Sequence, residues 1–245
     1  MLIIDNNMFI ILRRGGVFMF FFFFSKPYIS IVGEVIASKD MEERRKQQRK
    51  LNTILNNINM EYDENISAKF MPTIKNEFQG LLCNGKQFMK LLLEIKNKMY
   101  PDKVRFGIGI GEIEADFQSE NSITVSGEGY EKSREALKIL QNRDNKKQKA
   151  FTDIYLEIAG EQNERVHLIN TIFTLLSTLE TSWSDRQREI IYNMIKYQDT
   201  QTTVAKRLGV TQSTIQKTLI AGNYYAYEEA TSTLAAIFSE IGENE

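Results

Sequence analysis

The feature that most constrains the fold of this chain is a run of helix signals over residues 184–219. Ser184 and Gln187 form a capping-box pattern ahead of apolar residues at helical spacing. A second helix is predicted from about Thr200, Gly209 supplies the turn residue after it, and Thr211 caps a third helix. A helix, a glycine turn and a capped helix in so short a stretch predict a helix-turn-helix.

The predicted helix that follows Thr211 has a polar face that suits DNA. The stretch TVAKRLGVTQSTIQKTL resembles helix-turn-helix sequences of bacterial regulators and sigma-factor-like domains. In a major groove, four residues would face the base edges, namely Gln212, Ser213, Gln216 and Lys217. Phosphate contacts would come from Lys206, Arg207 and Lys217.

The charge of this C-terminal part argues against a strong DNA binder that acts alone. From residue 184 onward the sequence has six basic residues and eight acidic ones. Because phosphate neutralisation dominates DNA affinity, we expect the module to act as a homodimer or with a partner. The alternative is a helix-turn-helix that serves only for packing or dimerisation.

The preceding part of the chain has the element order β-α-β-β-α-β, the split βαβ of ferredoxin-like domains. Apolar, β-branched runs predict the strands and amphipathic segments predict the helices. In such a sheet the first and third strands are neighbours. Glu34, at the end of the first strand, should therefore lie beside the hairpin that carries Asn76 and Glu77.

The predicted fold class is thus α+β, a ferredoxin-like N-terminal domain followed by an all-α helix-turn-helix domain. Its predicted parts are a doubtful N-terminal extension, the α/β domain, a connecting helix and the helix-turn-helix domain, at residues 1–27, 28–160, 161–183 and 184–245. The apolar run Val17–Phe24 is too short to span a bilayer, and Met19 is a candidate for the true start. We expect no membrane association.

The cysteine and histidine content narrows the chemistry. With one cysteine, Cys83, and one histidine, His167, the chain has no internal disulfide and no closed zinc site. A reducing cytoplasm fits this composition best. With a net charge of −1, the chain has no overall positive electrostatic potential that would attract a nucleic acid.

Several separated motifs carry a family resemblance. YISIVGEVIASKD, ISAKFMPTIKNEFQGLL, RFGIGIGEI, GEGYEKSREAL and WSDRQREII resemble, in this order, proteins of the bacterial SatD family. That family has Asp where this chain has Glu34, and a Gly-Asp-Glu-Phe-Gln hairpin where this chain has residues 75–79. The hairpin is similar to that of nucleotidyl and diguanylate cyclases, where two carboxylates hold a divalent metal against a nucleoside triphosphate.

The resemblance implies a site for Mg²⁺ and a nucleotide. Its metal ligands would be Glu34 and Glu77, since Mg²⁺ takes carboxylate and phosphate oxygens. The nucleotide-binding residues would be Lys75, Asn76, Gly127, Gly129 and Arg134. Asn76 replaces a charged ligand with an amide, and Lys75 puts a cation where glycine would let phosphate approach, so both departures oppose catalysis.

Two functions remain open. The first is a regulatory protein whose helix-turn-helix contacts DNA or a protein, coupled to a degenerate cyclase-like domain. The second is a metal-dependent nucleotide-binding or nucleotidyl-transfer enzyme. The alternating glycines Gly107, Gly109 and Gly111 leave one strand face bare, which favours close packing of a helix over a ligand site.

Overall fold

The computed structural model describes residues 27–74, 76–116, 124–145, 152–160 and 164–242. The predicted N-terminal extension before residue 27 and Lys75 lie outside these ranges. The described part is a mixed α+β structure with a five-stranded sheet and eight helices. None of these helices combines the length and apolar content needed to cross a bilayer.

The strands are β1 (Tyr28–Val35), β2 (Ile66–Pro72), β3 (Glu77–Leu82), β4 (Val104–Gly111), β5 (Glu114–Asp116), β6 (Thr124–Ser126) and β7 (Ile154–Ile158). The helices are α1 (Met41–Glu61), α2 (Phe88–Met99), α3 (Glu128–Asn145), α4 (Glu164–Thr181), α5 (Asp185–Tyr197), α6 (Gln201–Leu208), α7 (Gln212–Ala221) and α8 (Tyr224–Ser239).

The main sheet has the order β2-β3-β1-β4-β7. Strand β1 is antiparallel to both β3 and β4, while β7 adds a parallel edge to β4. The first and third strands are neighbours, as predicted from the element order. Strands β5 and β6 form a separate short hairpin, which was not predicted because three-residue strands are too short to show a period.

Alternation along the strands gives the sheet two different faces. On one face, Ile31 and Phe106 join a large apolar core with residues of α1 and α2, such as Leu55. Helix α3 covers the other face, where the alternating glycines of β4 let it approach closely. A Cβ at Gly109 would lie 2.0 Å from the carbonyl oxygen of Gly129, which confirms the packing role predicted for these glycines.

The C-terminal helices share a core with the α/β part. Helix α8 packs on α2 and α4, with the Phe88 and Phe238 ring centroids 4.2 Å apart. At the same junction, buried Lys96 of α2 pairs with Asp153 at 2.5 Å and with Glu180 of α4 at 2.7 Å. The hydroxyl of buried Tyr227 donates to Glu180 at 2.6 Å. Apolar packing and a buried polar network therefore join the two parts.

Candidate functional site

Two carboxylates from distant parts of the sequence meet at one end of the sheet. Glu34 is next to last in β1 and Glu77 is the first residue of β3, and the two are direct register partners. Cross-strand partners project from the same face, which here is the face covered by α3. The structure thus brings together the two residues predicted as metal ligands.

Each of these carboxylates is already compensated by an arginine. Arg105, opposite Glu34 on β4, donates to Glu34 Oε2 at 3.2 Å, and Gln141 of α3 donates to the same oxygen at 3.2 Å. Arg134 of α3 pairs with Glu77 at 2.5 Å, and this hydrogen bond raises the pKa of Arg134. Arg134, which was predicted to bind phosphate, is therefore paired with a carboxylate of its own chain.

This arrangement does not fit a divalent cation held by Glu34 and Glu77. Mg²⁺ needs carboxylate oxygens that are free to coordinate, and here a cation would have to displace two guanidinium groups. Within the described ranges no group of three or more His, Cys, Asp or Glu side chains is placed to hold a metal. We therefore assign no chemical step to a metal at this pair.

Asn76, at the turn of the β2–β3 hairpin, lines a cleft between this hairpin and α1. Its backbone carbonyl accepts from the amide of Val35 at 2.9 Å, which fixes the hairpin against the end of β1. The cleft has a volume of about 240 Å³ and mixed walls, in which Val35, Leu51 and Pro72 are apolar and the polar residues are Arg44, Gln47, Gln48, Asn52, Thr73, Asn76 and Glu77. Lys75, predicted beside it, is outside the described residues.

Of the two glycines predicted to bind phosphate before α3, Gly129 has its amide engaged within the chain. Gly127 has a φ of +113°, and its carbonyl accepts from the amides of Tyr130 and Glu131. The amide of Gly129 donates to the carbonyl of Glu112 at 3.1 Å, so it is not free for phosphate. The lack of a side chain at Gly129 lets α3 pass close to Gly109 and Gly111 of β4.

Helices α5, α6 and α7 are each defined by local caps. Ser184 and Gln187 make the reciprocal capping box of α5, and the Thr211 side chain accepts from the amide of Thr214 at the start of α7. Gly209 ends α6 with a φ of +65°, in the left-handed region that favours glycine. These are the residues on which the sequence prediction of this region rested.

Helix α7 has one buried and one exposed side. Ile215 and Leu219 are fully buried. The four residues predicted to face base edges are all exposed, namely Gln212, Ser213, Gln216 and Lys217. Among these, Gln212 donates a hydrogen bond to Gln201 of α6 at 2.7 Å.

The three basic residues predicted to contact phosphate have different surroundings. Lys206 and Lys217 are exposed and form no salt bridge with any described residue. Arg207 pairs with Asp199, and its guanidinium lies 4.1 Å from the centre of the Tyr197 ring. Arg207 is thus held by its own chain, and the two lysines are the available cations of this surface.

Sequence reasoning missed the partners of the carboxylate pair. Arg105 interrupts an otherwise apolar and glycine-rich strand, and a charged residue at such a position indicates a buried or partly buried partner. That signal identifies Arg105 but not Glu34 as its partner. Gln141 lies on α3, 107 residues away from Glu34, and no local pattern in the sequence indicates that contact.

The described chain is therefore a mixed α+β protein with an arginine-compensated carboxylate pair at one end of its sheet. It belongs to the SatD family, whose family model matches residues 28–235. No curated protein matches it significantly.

Two solved structures of a bacterial light-regulated adenylyl cyclase are distantly similar. The first has a TM-score of 0.41 and 10% sequence identity, covering 54% of this chain and 75% of the other. The second has a TM-score of 0.39 and 10% identity, covering 54% of this chain and 43% of the other. A likeness this distant says nothing about activity.

Proposed function

We propose that this SatD-family chain is a cytoplasmic regulatory protein that binds DNA through α7. In this interpretation α5, α6 and α7 form a helix-turn-helix, and strands β1 to β4 with α1 and α2 form a degenerate ferredoxin-like, cyclase-like domain. The single observation that carries the proposal is the exposed polar face of α7, which presents amides, a hydroxyl and an unpaired lysine.

The chemistry of that face suits a major groove. Gln side chains are bidentate partners for adenine, and the Ser hydroxyl can donate to or accept from base edges. Lys206 and Lys217 supply the cations that phosphate contact requires, and neither is engaged in a described salt bridge. Because Arg207 is paired with Asp199, we assign it a supporting role in the fold of α6 and no phosphate contact.

The test is a salt titration of binding to a fluorescent DNA duplex, starting at about 50 mM salt, where the electrostatic contribution is large. Variant K206E/K217E should lower the affinity at least about tenfold and reduce the slope of log K against log salt by roughly two. The control K39E/K138E makes the same charge change at two exposed lysines of the α/β part and should bind like wild type. No measurable affinity of the wild type at this salt, or equal losses in both variants, would contradict the proposal.

The alternative, a metal-dependent nucleotide enzyme, is favoured only by the register pairing of Glu34 with Glu77 and by the cleft beside Asn76. The arginine pairs oppose it. It is tested by thermal shift with nucleoside triphosphates, with and without Mg²⁺ or Mn²⁺. If neither the wild type nor Asn76→Asp shows a metal-dependent change in melting temperature, the function of a metal-dependent nucleotide enzyme is excluded.

A further inference from the structure

The first residues of α6 and α7 are joined by a hydrogen bond between their side chains. Gln201 begins α6, Gln212 begins α7, and Nε2 of Gln212 donates to Oε1 of Gln201 at 2.7 Å. The amide of Gln201 is held a second time, because its Nε2 donates to the hydroxyl of Tyr225 in α8 at 3.2 Å. The three side chains therefore form a chain of hydrogen bonds on the surface of the α6–α8 region.

This chain of hydrogen bonds leaves Gln212 with one donor and one acceptor. A primary amide has two N–H donors and one carbonyl oxygen. One N–H of Gln212 is used on Gln201, and Oε1 of Gln212 forms no hydrogen bond with any described residue. Because the Gln212 side chain is exposed, its second N–H and its carbonyl oxygen are open to a ligand.

The two groups that remain on Gln212 match the major-groove edge of adenine. Adenine presents the acceptor N7 and the amino donor N6, so one N–H and one carbonyl oxygen of a single amide bind both. Guanine presents two acceptors, N7 and O6, and therefore calls for two donors. A free glutamine can offer both of its N–H groups to guanine, but Gln212 has already committed one of them to Gln201. The contact with Gln201 thus favours adenine over guanine.

We propose that Gln212 reads an adenine in the DNA contacted by α7, and that Gln201 is the positioning residue that sets this preference. The inference rests on the proposed DNA binding and adds to it the identity of one base. Holding the Gln212 amide before DNA arrives also reduces the side-chain entropy that is lost on binding. Gln216, the other exposed amide of α7, has no comparable partner among the described residues, so we assign it no base.

The contact between Gln201 and Gln212 contributes little to the stability of the fold. The Thr211 cap and the buried side chains of Ile215 and Leu219 hold α7 in place without it. The bond itself lies at the surface, where water can replace either partner. Substitutions at the two glutamines should therefore leave the chain folded, and their effects on DNA should be effects on recognition.

The experiment is selection of bound sequences from a random duplex pool, with the base frequencies counted at each position. The wild type should enrich adenine at a position that Gln212→Ala no longer distinguishes. Measured on fluorescent duplexes with A·T or G·C at that position, the preference for adenine should fall roughly tenfold in Gln212→Ala. Gln201→Leu removes the acceptor for Gln212, so at the same position guanine should gain relative to adenine.

Two further variants separate positioning from a general loss of binding. Gln201→Glu keeps an acceptor for Gln212 but adds a negative charge near the phosphates, so it should retain the adenine preference while it binds every duplex more weakly. Asn57→Leu removes an exposed amide from α1 and should leave all base preferences unchanged. Circular dichroism and thermal melting of each variant establish that it folds.

The inference is overturned if no enriched adenine depends on Gln212, if Gln201→Leu keeps the wild-type preference, or if Gln201→Glu loses it as Gln201→Leu does. In each of these cases the wild type still binds DNA and still depends on Lys206 and Lys217, so the proposed function stands. A wild type that binds no duplex contradicts the proposed function itself, and the inference falls with it.

Discussion

At the scale of single residues, Lys96 is the cation on which the junction between sheet and C-terminal helices depends. Its side chain is 12% exposed and lies between the carboxylates of Asp153 and Glu180. Burial alone favours the neutral amine, but the two carboxylates raise the pKa of Lys96 above its ordinary value. The ammonium is therefore the form that stabilises the folded chain, and this contribution disappears only as the pH rises through the raised pKa.

Substitution Lys96→Met should lower the free energy of unfolding by about 3–5 kcal/mol, since it leaves buried Asp153 without its cation and buried Glu180 with only Arg188, at 3.5 Å. Urea denaturation measures the change. Lys138→Met, at an exposed lysine, should cost about 0.5 kcal/mol or less. A loss of under about 1 kcal/mol in Lys96→Met would mean that the network contributes little.

Glu94 makes stability depend on pH in the acid range. It is 3% exposed, and although burial raises its pKa, hydrogen bonds from Lys98, Tyr62 and Lys196 lower the pKa to about 2 from an ordinary value of 4.5. The pKa of Glu94 is lower in the folded chain than in the unfolded chain. The contribution of Glu94 to the free energy of unfolding is therefore fully present above its unfolded pKa of 4.5 and is lost as the pH falls towards 2.

Between about pH 5 and pH 3 this contribution should fall by roughly 2 kcal/mol. Glu94→Gln removes the titrating group, so its stability should change less than that of the wild type over this interval, even though the variant is weaker at pH 5. Urea denaturation at the two pH values measures the difference. The same loss in both proteins would assign the acid sensitivity to other carboxylates.

At the scale of elements, Gly109 and Gly209 are required for different reasons, close packing at the first and a positive φ at the second. At Gly109 a Cβ would meet the backbone of α3 at 2.0 Å, so Gly109→Ala must push the helix away from the sheet. At Gly209 no atom lies within 4 Å of an added Cβ, and only the positive φ of 65° opposes a side chain. Alanine should therefore cost about 3 kcal/mol or more at the first position and about 1 kcal/mol at the second.

Thermal or urea unfolding of Gly109→Ala and Gly209→Ala gives the comparison, with Gly209→Asn expected to recover part of the loss because Asn tolerates the left-handed conformation. Equal costs at the two positions would show that α3 adjusts easily. In that case close packing would not explain the alternating glycines of β4.

The elements that could be predicted from the sequence are those with local signals. The Ser184–Gln187 capping box of α5, the Gly209 turn after α6 and the Thr211 cap of α7 agree with the prediction, because caps and turn residues act within a few residues. The neighbouring positions of Glu34 and Glu77 followed from the element order. Their arginine partners did not, because contacts that span 57 and 71 residues depend on how α3 and β4 pack.

At the scale of the whole molecule, the shared core links the α/β part to the C-terminal helices. The rings of Phe88 and Phe238 pack across the junction, tilted by 39° to each other, and the indole of Trp183 donates to the carbonyl of Gly222 at 2.8 Å. The sequence predicted a connecting helix over residues 161–183 and a separate domain from residue 184, and the continuous packing across this junction implies strong coupling of the two parts. We expect them to unfold together.

Trp183 is the only tryptophan, so its fluorescence reports on the C-terminal junction, whereas circular dichroism reports on every helix. Urea unfolding curves from the two signals should coincide, as they do for a cooperative transition. A fluorescence transition at clearly lower urea than the dichroism transition would show that the C-terminal helices unfold as a separate domain.

The proposal that α7 reads DNA, with the chain acting as the expected homodimer, is tested most directly by selection of bound sequences from a random duplex pool. The wild type should enrich a two-fold symmetric sequence whose half-sites lie about one helical turn, or a whole number of turns, apart. Variant K206E/K217E should enrich nothing, and K39E/K138E should enrich the wild-type sequence. If the wild type enriches no sequence, or if K206E/K217E enriches the same one, α7 is not a DNA-reading helix.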